Sequence, residues 1–525
     1  MTSSLRLLGT GLFAVALSLS GCSDTDPAAP DAGTPDPTPP VELTDYVDVE
    51  SDEPCKDPDI FAPRANCTDP SSFPLAGCDL NAVRAVEPSG IYLGIFRYDP
   101  ETSFSAGFRL DTTPSFLGFP LVSQQTGPQG FFITGQYVSA NNKQSLYALA
   151  GCRVPEPGRI TGCFVRCADG IATYSGTFNV WRMNLDREAS TGAKPLRLVS
   201  ETAVPQGESV DIYVTKGHAY VVSVPRNKNE PGGLTVFDVS DPAHPTLITR
   251  VSLPNDNYWN GVWAKGDALY VASANSGVIV YDITDPANPQ YVRALPGEAI
   301  NVHTVFVDGD RLYAMSPSPN AETLLFNVAS PLEPQLLSRI SVPRGDGLTS
   351  YPHDAFAYQD RLYVNHTASG YVVLDVKRPD VTPELGRYVF KGQYSHANAV
   401  GTINGRTIAF EGGERFGAHL RVLDVTDPAN IKLIGEVKKR PQTSIHNMVL
   451  KGTRLYVAWY HEGVRVFDVA TPERPKEIAS FDSFQEAHPL STSSLYQGAI
   501  GIRVPGDGYV YVVDLSRGLL VLAEP

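Results

Sequence analysis

The segment Val278-Ile279-Val280-Tyr281-Asp282-Ile283-Thr284-Asp285-Pro286 carries the pattern that decides the fold. Its run of β-branched and aromatic residues predicts a buried strand. The Asp and Pro that follow predict a turn, because a carboxylate accepts backbone N–H groups there and proline cannot continue a strand ladder. Just upstream, Lys265-Gly266-Asp267 is typical of a tight turn and leads into a second strand, Leu269-Tyr270-Val271. The stretch therefore indicates consecutive antiparallel strands.

The same pattern occurs in five other places along the chain. The residues equivalent to Asp282 are Asp238, Asn327, Asp375, Asp424 and Asp468, and consecutive copies are spaced by 44, 45, 48, 49 and 44 residues. Each copy holds four segments of strand character. Four antiparallel strands in about 40 to 50 residues is the composition of one β-propeller blade. These acids occur once per blade and are therefore spread around the ring. This distribution predicts that they have a structural role in the turns.

Residues 495–523 hold three further strands, and we expect the missing fourth strand at residues 196–202, just before the first full copy. Pairing these two parts of the chain closes the ring and removes exposed sheet edges. We therefore predict an all-β protein with a seven-bladed β-propeller over residues 195–525. The alternative is eight blades, if residues 173–203 recruit residues 130–150 into another blade.

The repeated strand and the Asp-Pro-Ala-Asn-Pro turn at residues 285–289 resemble the LVIVD-repeat proteins, a family of exported bacterial β-propellers that includes many surface lipoproteins. The resemblance covers about 330 residues. The copy at Asn327 departs from it with Ala329-Ser330-Pro331, and the copy at Asp375 with Lys377-Arg378-Pro379. The resemblance implies a propeller fold and an exported location, and it implies no defined reaction.

The N-terminal residues have the character of an export signal. The apolar run from Leu7 to Leu19 has the length of a signal-peptide core and is too short to span a bilayer. It ends in Leu19-Ser20-Gly21-Cys22, which resembles the lipobox of bacterial lipoproteins. We predict a lipoprotein signal peptide at residues 1–21 and a lipid anchor on Cys22 that holds the protein to an envelope membrane, with Ser23 favouring the outer membrane or cell surface. The alternative is an ordinary signal peptide.

Residues 22–85 are predicted to be an acidic, proline-rich tether followed by a cysteine-containing segment. Six prolines lie in residues 23–40. Residues 23–85 carry fourteen acids against three bases, a net charge of −11 out of −15 for the whole chain. Such a stretch favours an extended conformation that cannot bury a core.

Six cysteines besides Cys22 are expected to pair in the oxidising compartment that an exported chain meets, with zinc binding as the alternative. Three lie within residues 55–78 and three within residues 152–167, so complete pairing requires at least one bond between the two groups. The candidates are Cys55, Cys67, Cys78, Cys152, Cys163 and Cys167.

Residues 86–190 are predicted to form a small, disulfide-linked antiparallel β domain. Four segments rich in aromatic and β-branched residues, at 90–98, 130–138, 145–149 and 173–181, are separated by Gly, Pro and Asn. No known motif occurs in them. We expect a packing domain, and the alternative is a domain with an apolar ligand cavity.

Histidines recur at one position of the repeat, about ten residues before the Tyr of the Leu-Tyr strand, where one copy has Asn260 instead. The set is His303, His353, His396 and His446. The first strand of each blade lines the axial channel, so these imidazoles should gather at one mouth of it. We expect Asp211, Asp354 and Glu298 to be nearby carboxylates. Such a group suits Cu, Zn, Ni or Fe. The alternative is structural, because a repeat copies any residue that bonds the neighbouring blade. His366 and His461 fall outside this position and are expected at the surface.

Composition excludes several classes of function. Lys and Arg number 42 against 57 Asp and Glu, so no basic excess is present to meet nucleic-acid phosphates. No nucleophile elbow, His-Glu-x-x-His, Walker or EF-hand sequence occurs after residue 21. We predict a non-enzymatic binding scaffold for a protein, peptide or glycan. The alternative is a metal-dependent envelope enzyme, an oxidase or hydrolase, that uses the histidine cluster.

Overall fold

The computed structural model describes residues 67–525 apart from 88, 99–102, 112, 139–142, 169–170, 184–192, 344–349 and 391–393. The predicted signal peptide, Cys22, the tether and Cys55 lie outside the described residues. Within them, the chain forms two β-rich domains, a closed eight-stranded barrel and a seven-bladed propeller.

The N-terminal domain begins with a 3-10 turn at Pro70–Ser72 and a short helix, α1, at Leu80–Arg84. Asp79 caps α1 by accepting the Ala82 N–H at 3.1 Å, and Val83 buries the inner face of the helix. Among the described residues, no helix is both long and apolar enough to cross a membrane.

Eight antiparallel strands follow, with a 3-10 turn at Gly127–Gln129. The strands are Ile91–Arg97 (β1), Ser103–Arg109 (β2), Ser115–Phe116 (β3), Phe119–Gln125 (β4), Phe132–Val138 (β5), Gln144–Arg153 (β6), Arg159–Ala168 (β7) and Ile171–Arg182 (β8). The sheet closes because β1 pairs with both β2 and β8. The predicted antiparallel domain is confirmed as this barrel.

Aromatic side chains fill the barrel interior. Phe96 lies at its centre, with ring centroids 5.8 Å from Phe116, 5.5 Å from Phe164 and 5.7 Å from Phe178. Edge-to-face and offset aromatic pairs of this kind add about 0.5 to 1.5 kcal/mol each beyond the area they bury. The interior is therefore a packed core.

Two disulfides join the segment before the barrel to the barrel strands. Cys67 bonds Cys167, and Cys78 bonds Cys152. Cys163 is disulfide-bonded as well. The prediction that at least one bond links the two cysteine groups is confirmed, and the bonds attach residues 67–78 to β6 and β7.

The first blades of the propeller each hold four consecutive strands. Two short strands precede them, Lys194–Pro195 (β9) and Leu198–Thr202 (β10). Blade 1 holds Glu208–Thr215 (β11), His218–Val224 (β12), Gly233–Asp238 (β13) and Thr246–Val251 (β14). Blade 2 holds Trp259–Lys265 (β15), Ala268–Ser273 (β16), Gly277–Asp282 (β17) and Gln290–Leu295 (β18). Blade 3 holds Thr304–Asp308 (β19), Arg311–Ser316 (β20), Glu322–Asn327 (β21) and Gln335–Ser341 (β22).

Blades 4 to 7 follow the same order. Blade 4 holds Asp354–Tyr358 (β23), Arg361–Asn365 (β24), Tyr371–Asp375 (β25) and Glu384–Tyr388 (β26). Blade 5 holds Ser395–Ile403 (β27), Arg406–Gly413 (β28), Leu420–Asp424 (β29) and, after a 3-10 turn at Pro428–Asn430, Lys432–Val437 (β30). Blade 6 holds Met448–Lys451 (β31), Arg454–Trp459 (β32), Gly463–Asp468 (β33) and Lys476–Phe481 (β34). Blade 7 holds Ala499–Arg503 (β35), Tyr509–Asp514 (β36) and Gly518–Ala523 (β37).

Strands from distant parts of the sequence close the ring. β10 pairs antiparallel with β37 and supplies the outer strand of blade 7, as predicted. β9 pairs parallel with the outer strand of blade 6. The propeller has seven blades. The eight-blade alternative is wrong, because residues 130–150 belong to the barrel as β5 and β6.

The blades show why the repeat has its apolar runs. In blade 2 every residue of β16 is buried, as is nearly every residue of β17, because each middle strand is covered on both faces by neighbouring blades. In the outer strand β18, three of the six residues are exposed, none is buried, and the composition is more polar. Burying one Val, Leu or Ile side chain contributes about 1.5 to 3 kcal/mol, so the middle strands supply most of the stabilisation.

The repeated acids have the structural role that was predicted. Asp282 accepts the Thr284 N–H at 2.8 Å, and Asp285 accepts the Ala287 N–H at 3.2 Å. The repeated Tyr then joins one blade to the next, since the Tyr220 hydroxyl donates to the Pro286 carbonyl at 2.9 Å. The motif thus forms the turn and provides the acceptor for the neighbouring blade.

The barrel packs on the propeller face where the innermost strands begin. Glu486, in the segment before β35, accepts the Ile91 N–H at 2.5 Å and pairs with Arg182 at 2.7 Å. Arg109 donates to the Ser491 carbonyl at 2.8 Å. Apolar contacts complete the interface, with Ile91, Leu93 and Met183 against Phe484 and Leu495.

Candidate functional site

The seven innermost strands, the first in each blade, surround an axial pocket of about 240 Å³. All seven run in the same direction, because every blade starts at its innermost strand. Residues at equivalent positions of these strands therefore lie at equal depth. Along β23 and the residue before it, this order runs from His353 through Asp354 to Phe356, and each of the three lines the pocket.

The structure brings the four predicted histidines together at the inner end of the pocket. The imidazole centroids are 4.3 Å apart for His303 and His353, 4.0 Å for His353 and His396, and 4.6 Å for His396 and His446. Each histidine comes from the start of the innermost strand of blade 3, 4, 5 or 6. We call this group the histidine layer.

Part of the histidine layer is joined by hydrogen bonds. Nε2 of His303 lies 2.9 Å from Nε2 of His353 and 3.2 Å from Nδ2 of Asn260, which occupies the equivalent position in blade 2. Nδ1 of His446 lies 2.9 Å from the carbonyl oxygen of Ile500. A carbonyl only accepts, so Nδ1 of neutral His446 holds the proton and its Nε2 keeps a free lone pair.

The two central imidazoles have unused nitrogens. The exposed fraction is 4% for His353 and 1% for His396. Nδ1 of His353 and both ring nitrogens of His396 make no hydrogen bond of good geometry with the part of the chain that the structure describes. A buried polar atom without a partner costs about 1 to 3 kcal/mol, which makes these nitrogens candidates for ligand binding.

Glu414 completes the group and was not predicted from the sequence. Its Oε2 lies 3.4 Å from Nε2 of His396, and its Oε1 accepts the Tyr460 hydroxyl at 2.5 Å. One ligand atom each from His353, His396 and Glu414 all lie within 4.8 Å of one another, which is close enough to share a metal ion. The only signal in the sequence is an acid directly after Gly412-Gly413 in one of the longer copies.

Burial sets the electrostatics of the site. It lowers the pKa of His303 to about 4 and that of His446 to about 3, and it lowers the pKa of His353 and of His396 as well, with added repulsion between the imidazoles. Burial also raises the pKa of Glu414 to about 8, against the hydrogen bond from Tyr460. At neutral pH the imidazoles are therefore neutral and keep lone pairs that can bind a cation.

Two of the three predicted carboxylates line the pocket, and the third does not. Asp211 lines the pocket, but its Oδ2 accepts the Val262 N–H at 3.0 Å and pairs with Arg503 at 3.3 Å. Asp354 also lines the pocket, and burial raises its pKa to about 7. Glu298 lies at the surface, with 59% of its side chain exposed. Glu414, rather than Asp211, is the carboxylate beside the imidazoles.

The prediction that His366 and His461 lie at the surface is wrong. Both side chains are fully buried. Nδ1 of His366 lies 2.9 Å from Oγ of Ser350, and the His461 ring lies 4.5 Å from that of Phe484. Both follow the second strand of a blade, where segments from other parts of the chain cover the turn.

An arc of aromatic side chains lines the pocket beyond the histidine layer. Ring centroids are 5.2 Å apart for Tyr213 and Trp263, 4.7 Å for Trp263 and Phe306, and 4.9 Å for Phe306 and Phe356. These residues occupy equivalent positions in blades 1 to 4. The Arg503 guanidinium, from blade 7, lies 5.0 Å from the Trp263 ring. We call the four rings the aromatic arc.

Comparison with protein families supports the repeat assignment. Residues 206–252 and 258–294 match the LVIVD repeat, and they correspond to blades 1 and 2. The chain therefore carries LVIVD repeats within a β-propeller, a fold that suggests a scaffold or interaction role.

A comparison with curated proteins found no match. Among solved structures, the chain is similar to the computationally designed Ika8 protein, with 12% identity, a TM-score of 0.44, and coverage of 63% of this chain and 100% of that one. It is also similar to a chain in the crystal structure of the mitotic checkpoint complex, with 11% identity, a TM-score of 0.45, and coverage of 65% and 94%.

Proposed function

We propose that the propeller binds one transition-metal ion at the histidine layer, with Glu414 as the carboxylate ligand. The observation that carries the proposal is the environment of His396. This side chain is 1% exposed, lies 3.4 Å from Glu414, and has two ring nitrogens that make no hydrogen bond of good geometry among the described residues. A metal ion would use the lone pair that burial otherwise leaves without a partner.

The available ligands favour a borderline metal. Neutral imidazoles suit Zn, Cu, Ni and Fe, and a single carboxylate offsets part of the charge of a divalent ion. The surrounding bonds support this arrangement. Tyr460 orients Glu414, and the Ile500 carbonyl orients His446. Residues that hydrogen-bond to metal ligands in this way hold the ligands in place and tune their affinity for the metal.

A structural role for the histidines is the competing explanation, since the 2.9 Å contact between His303 and His353 joins blades 3 and 4. Calorimetric titration of metal-free protein with Zn²⁺ and with Cu²⁺ separates the two roles. We expect one tight site in the wild type and its loss in His396→Ala. The control is His244→Ala, which removes an imidazole that is 83% exposed. Equal titrations for the wild type and His396→Ala would overturn the proposal.

We further propose that the protein is exported and anchored through lipid on Cys22 to an envelope membrane. Support comes from the lipobox-like Leu19-Ser20-Gly21-Cys22 and from the disulfides, which are typical of oxidising compartments. Labelling with a radioactive fatty acid tests the anchor. We expect label and membrane association in the wild type and neither in Cys22→Ser. Membrane association of an unlabelled wild type would contradict lipidation.

Two consequences for activity follow from these proposals. A metal beside a pocket of about 240 Å³ is compatible with a metal-dependent oxidase or hydrolase of a small molecule. The second candidate function is a scaffold for a protein, peptide or glycan, and the observation that favours it is the LVIVD-repeat propeller fold. Capture of a partner that is unaffected by His396→Ala and by metal removal would support the scaffold.

A further inference from the structure

We propose that the axial pocket binds a small, flat, uncharged aromatic molecule, which enters from the propeller face opposite the barrel. The proposal deepens the proposed metal site and rests on it for the orientation of the bound molecule. The shape and chemistry of the pocket carry the rest.

The direction of the innermost strands identifies the open side. Beyond the aromatic arc, the pocket is lined by Leu450, Val504 and Pro505, which are partly or fully exposed. On the other side of the histidine layer, Tyr460 is buried and its ring lies 5.3 Å from that of His446. The Tyr496 ring lies 5.5 Å from that of Tyr460, tilted by 56°, and packs against the core shared with the barrel. The barrel side is therefore covered, and access lies on the opposite face.

The wall of the pocket is asymmetric. The aromatic arc takes one side, and aliphatic residues of blades 5 and 6, Ala397, Met448 and Val449, take the other. Aromatic rings prefer offset-stacked or edge-to-face partners, so a flat ring gains most against the arc. An aliphatic molecule of the same size buries similar area without this gain.

The charged side chains that line the pocket already have partners in the chain. Arg503 pairs with Asp211 at 3.3 Å and lies over Trp263. Asp354 accepts the Ala355 N–H at 2.9 Å. In the metal-free protein, a charged ligand would lose its hydration without finding a free counter-charge, which is costly. The pocket therefore favours an uncharged molecule.

The volume of the pocket and the polar groups at its inner end indicate the size of the bound molecule and its substituents. A volume of about 240 Å³ lies below the range of about 300 to 1,000 Å³ for drug-sized ligands, so the pocket takes a single ring with few substituents. Between the aromatic arc and the histidine layer lie Thr304, Asn398 and Asn447. The Thr304 hydroxyl and the Asn398 amide are bonded within the chain. A hydroxyl or amino substituent would therefore point towards Asn447 and the proposed metal.

The experiment compares phenol with cyclohexanol, which have the same number of heavy atoms, by calorimetry on both metal-free and Zn²⁺-treated protein. We expect phenol to bind about threefold to tenfold more tightly, from the usual strength of aromatic pairs. Phe356→Leu should reduce this preference, and Leu450→Trp should block both probes. Tyr291→Leu, at a ring that is 51% exposed on an outer strand, is the control and should change nothing.

Comparing the metal-free with the Zn²⁺-treated protein distinguishes failure of this proposal from failure of the metal site. A phenol preference in the metal-free protein supports the pocket even if no Zn²⁺ binds. The proposal is overturned if neither probe binds, if the two probes bind equally, or if Phe356→Leu leaves the preference unchanged.

Discussion

The Tyr460 hydroxyl donates a hydrogen bond of 2.5 Å to Oε1 of Glu414, whose other oxygen lies 3.4 Å from Nε2 of His396. One bond therefore orients the carboxylate towards the imidazole. Tyr460 sits in the turn between β32 and β33 with φ of 27°, in the left-handed region that a bulky residue seldom occupies. The backbone of that turn thus places the hydroxyl over the site.

Removing this bond should weaken metal binding without abolishing it. We predict that Tyr460→Phe lowers the affinity for Zn²⁺ by about 10- to 100-fold, the usual effect of losing an outer partner of a ligand. Competition with a chromophoric chelator measures the change. Tyr291→Phe serves as the control, because that hydroxyl belongs to an exposed ring far from the pocket. Unchanged affinity in Tyr460→Phe would contradict the role given to this bond in holding Glu414 for the metal.

Glu208 should make stability depend on pH. Burial raises its pKa from 4.5 to about 7, against attraction from Arg226 and with repulsion from Glu230. The folded state then holds the proton more tightly than the unfolded chain, so stability falls as pH rises from about 4.5 through about 7. We predict that Glu208→Gln stabilises the protein at pH 8.5 by up to about 3 kcal/mol, at about 1.4 kcal/mol per pKa unit, and has little effect at pH 4.5.

Urea unfolding at pH 4.5 and at pH 8.5 checks the sign of this effect. Glu230→Gln is the matched control, since its side chain is 48% exposed and its pKa is lowered by hydrogen bonds from Asn227 and Arg226. The same change in the free energy of unfolding at both pH values in Glu208→Gln would contradict the raised pKa.

Glu486 should hold the barrel on the propeller. Its carboxylate pairs with Arg182 and accepts the Ile91 N–H. We predict that Glu486→Ala costs about 3 to 5 kcal/mol at this interface, because it leaves Arg182 largely buried without its partner. Differential scanning calorimetry should then resolve a separate, earlier transition for the barrel. Glu298→Ala, which removes an exposed ion pair with Arg339, should leave the profile unchanged. A single unshifted transition in Glu486→Ala would show that the carboxylate does not hold the domains together.

Gly501 should be required where blade 7 meets blade 1. A Cβ atom there would lie 2.9 Å from Cα of Asp211 and 3.1 Å from the Val210 carbonyl oxygen. Backbone atoms cannot move aside easily, so we predict that Gly501→Ala destabilises the propeller by about 1 to 3 kcal/mol. Gly401→Ala is the control, because only the flexible end of the Leu450 side chain lies within 3 Å of its Cβ position. Equal unfolding midpoints for the two variants would contradict this account of ring closure.

The propeller could be predicted from the sequence because its structure is local and repeated. Asp282 and Asp285 bond N–H groups only two residues away, so their spacing is visible in the chain itself. Closure by residues 196–202 was predictable as well, since a three-stranded seventh unit requires one more strand. The extent of β35 was not predictable. Only Ala499–Arg503 form a strand, and the residues from 482 to 498 form the loop that contacts the barrel.

The candidate site was only partly predictable. The four histidines share one position of the repeat, and equal position implies equal depth. Glu414 lies outside that position, after β28, and approaches His396 only through the folded turn. In the barrel, the strands β2, β3, β4 and β7 were not predicted. For example, β2 and β7 contain Ser, Gly and Cys, which have little preference for strands. Packing against neighbouring barrel strands, rather than β-propensity, decides the conformation there.

The central claim is that the histidine layer holds a metal, and elemental analysis tests it most directly. The sample is the chain from Ser23, produced in an oxidising compartment and purified without a metal-binding tag. We predict close to one Zn, Cu, Ni or Fe per chain, lost from folded His353→Ala and His396→Ala variants and retained in His244→Ala. A wild type without a transition metal, or one whose metal content survives both substitutions, would contradict the account.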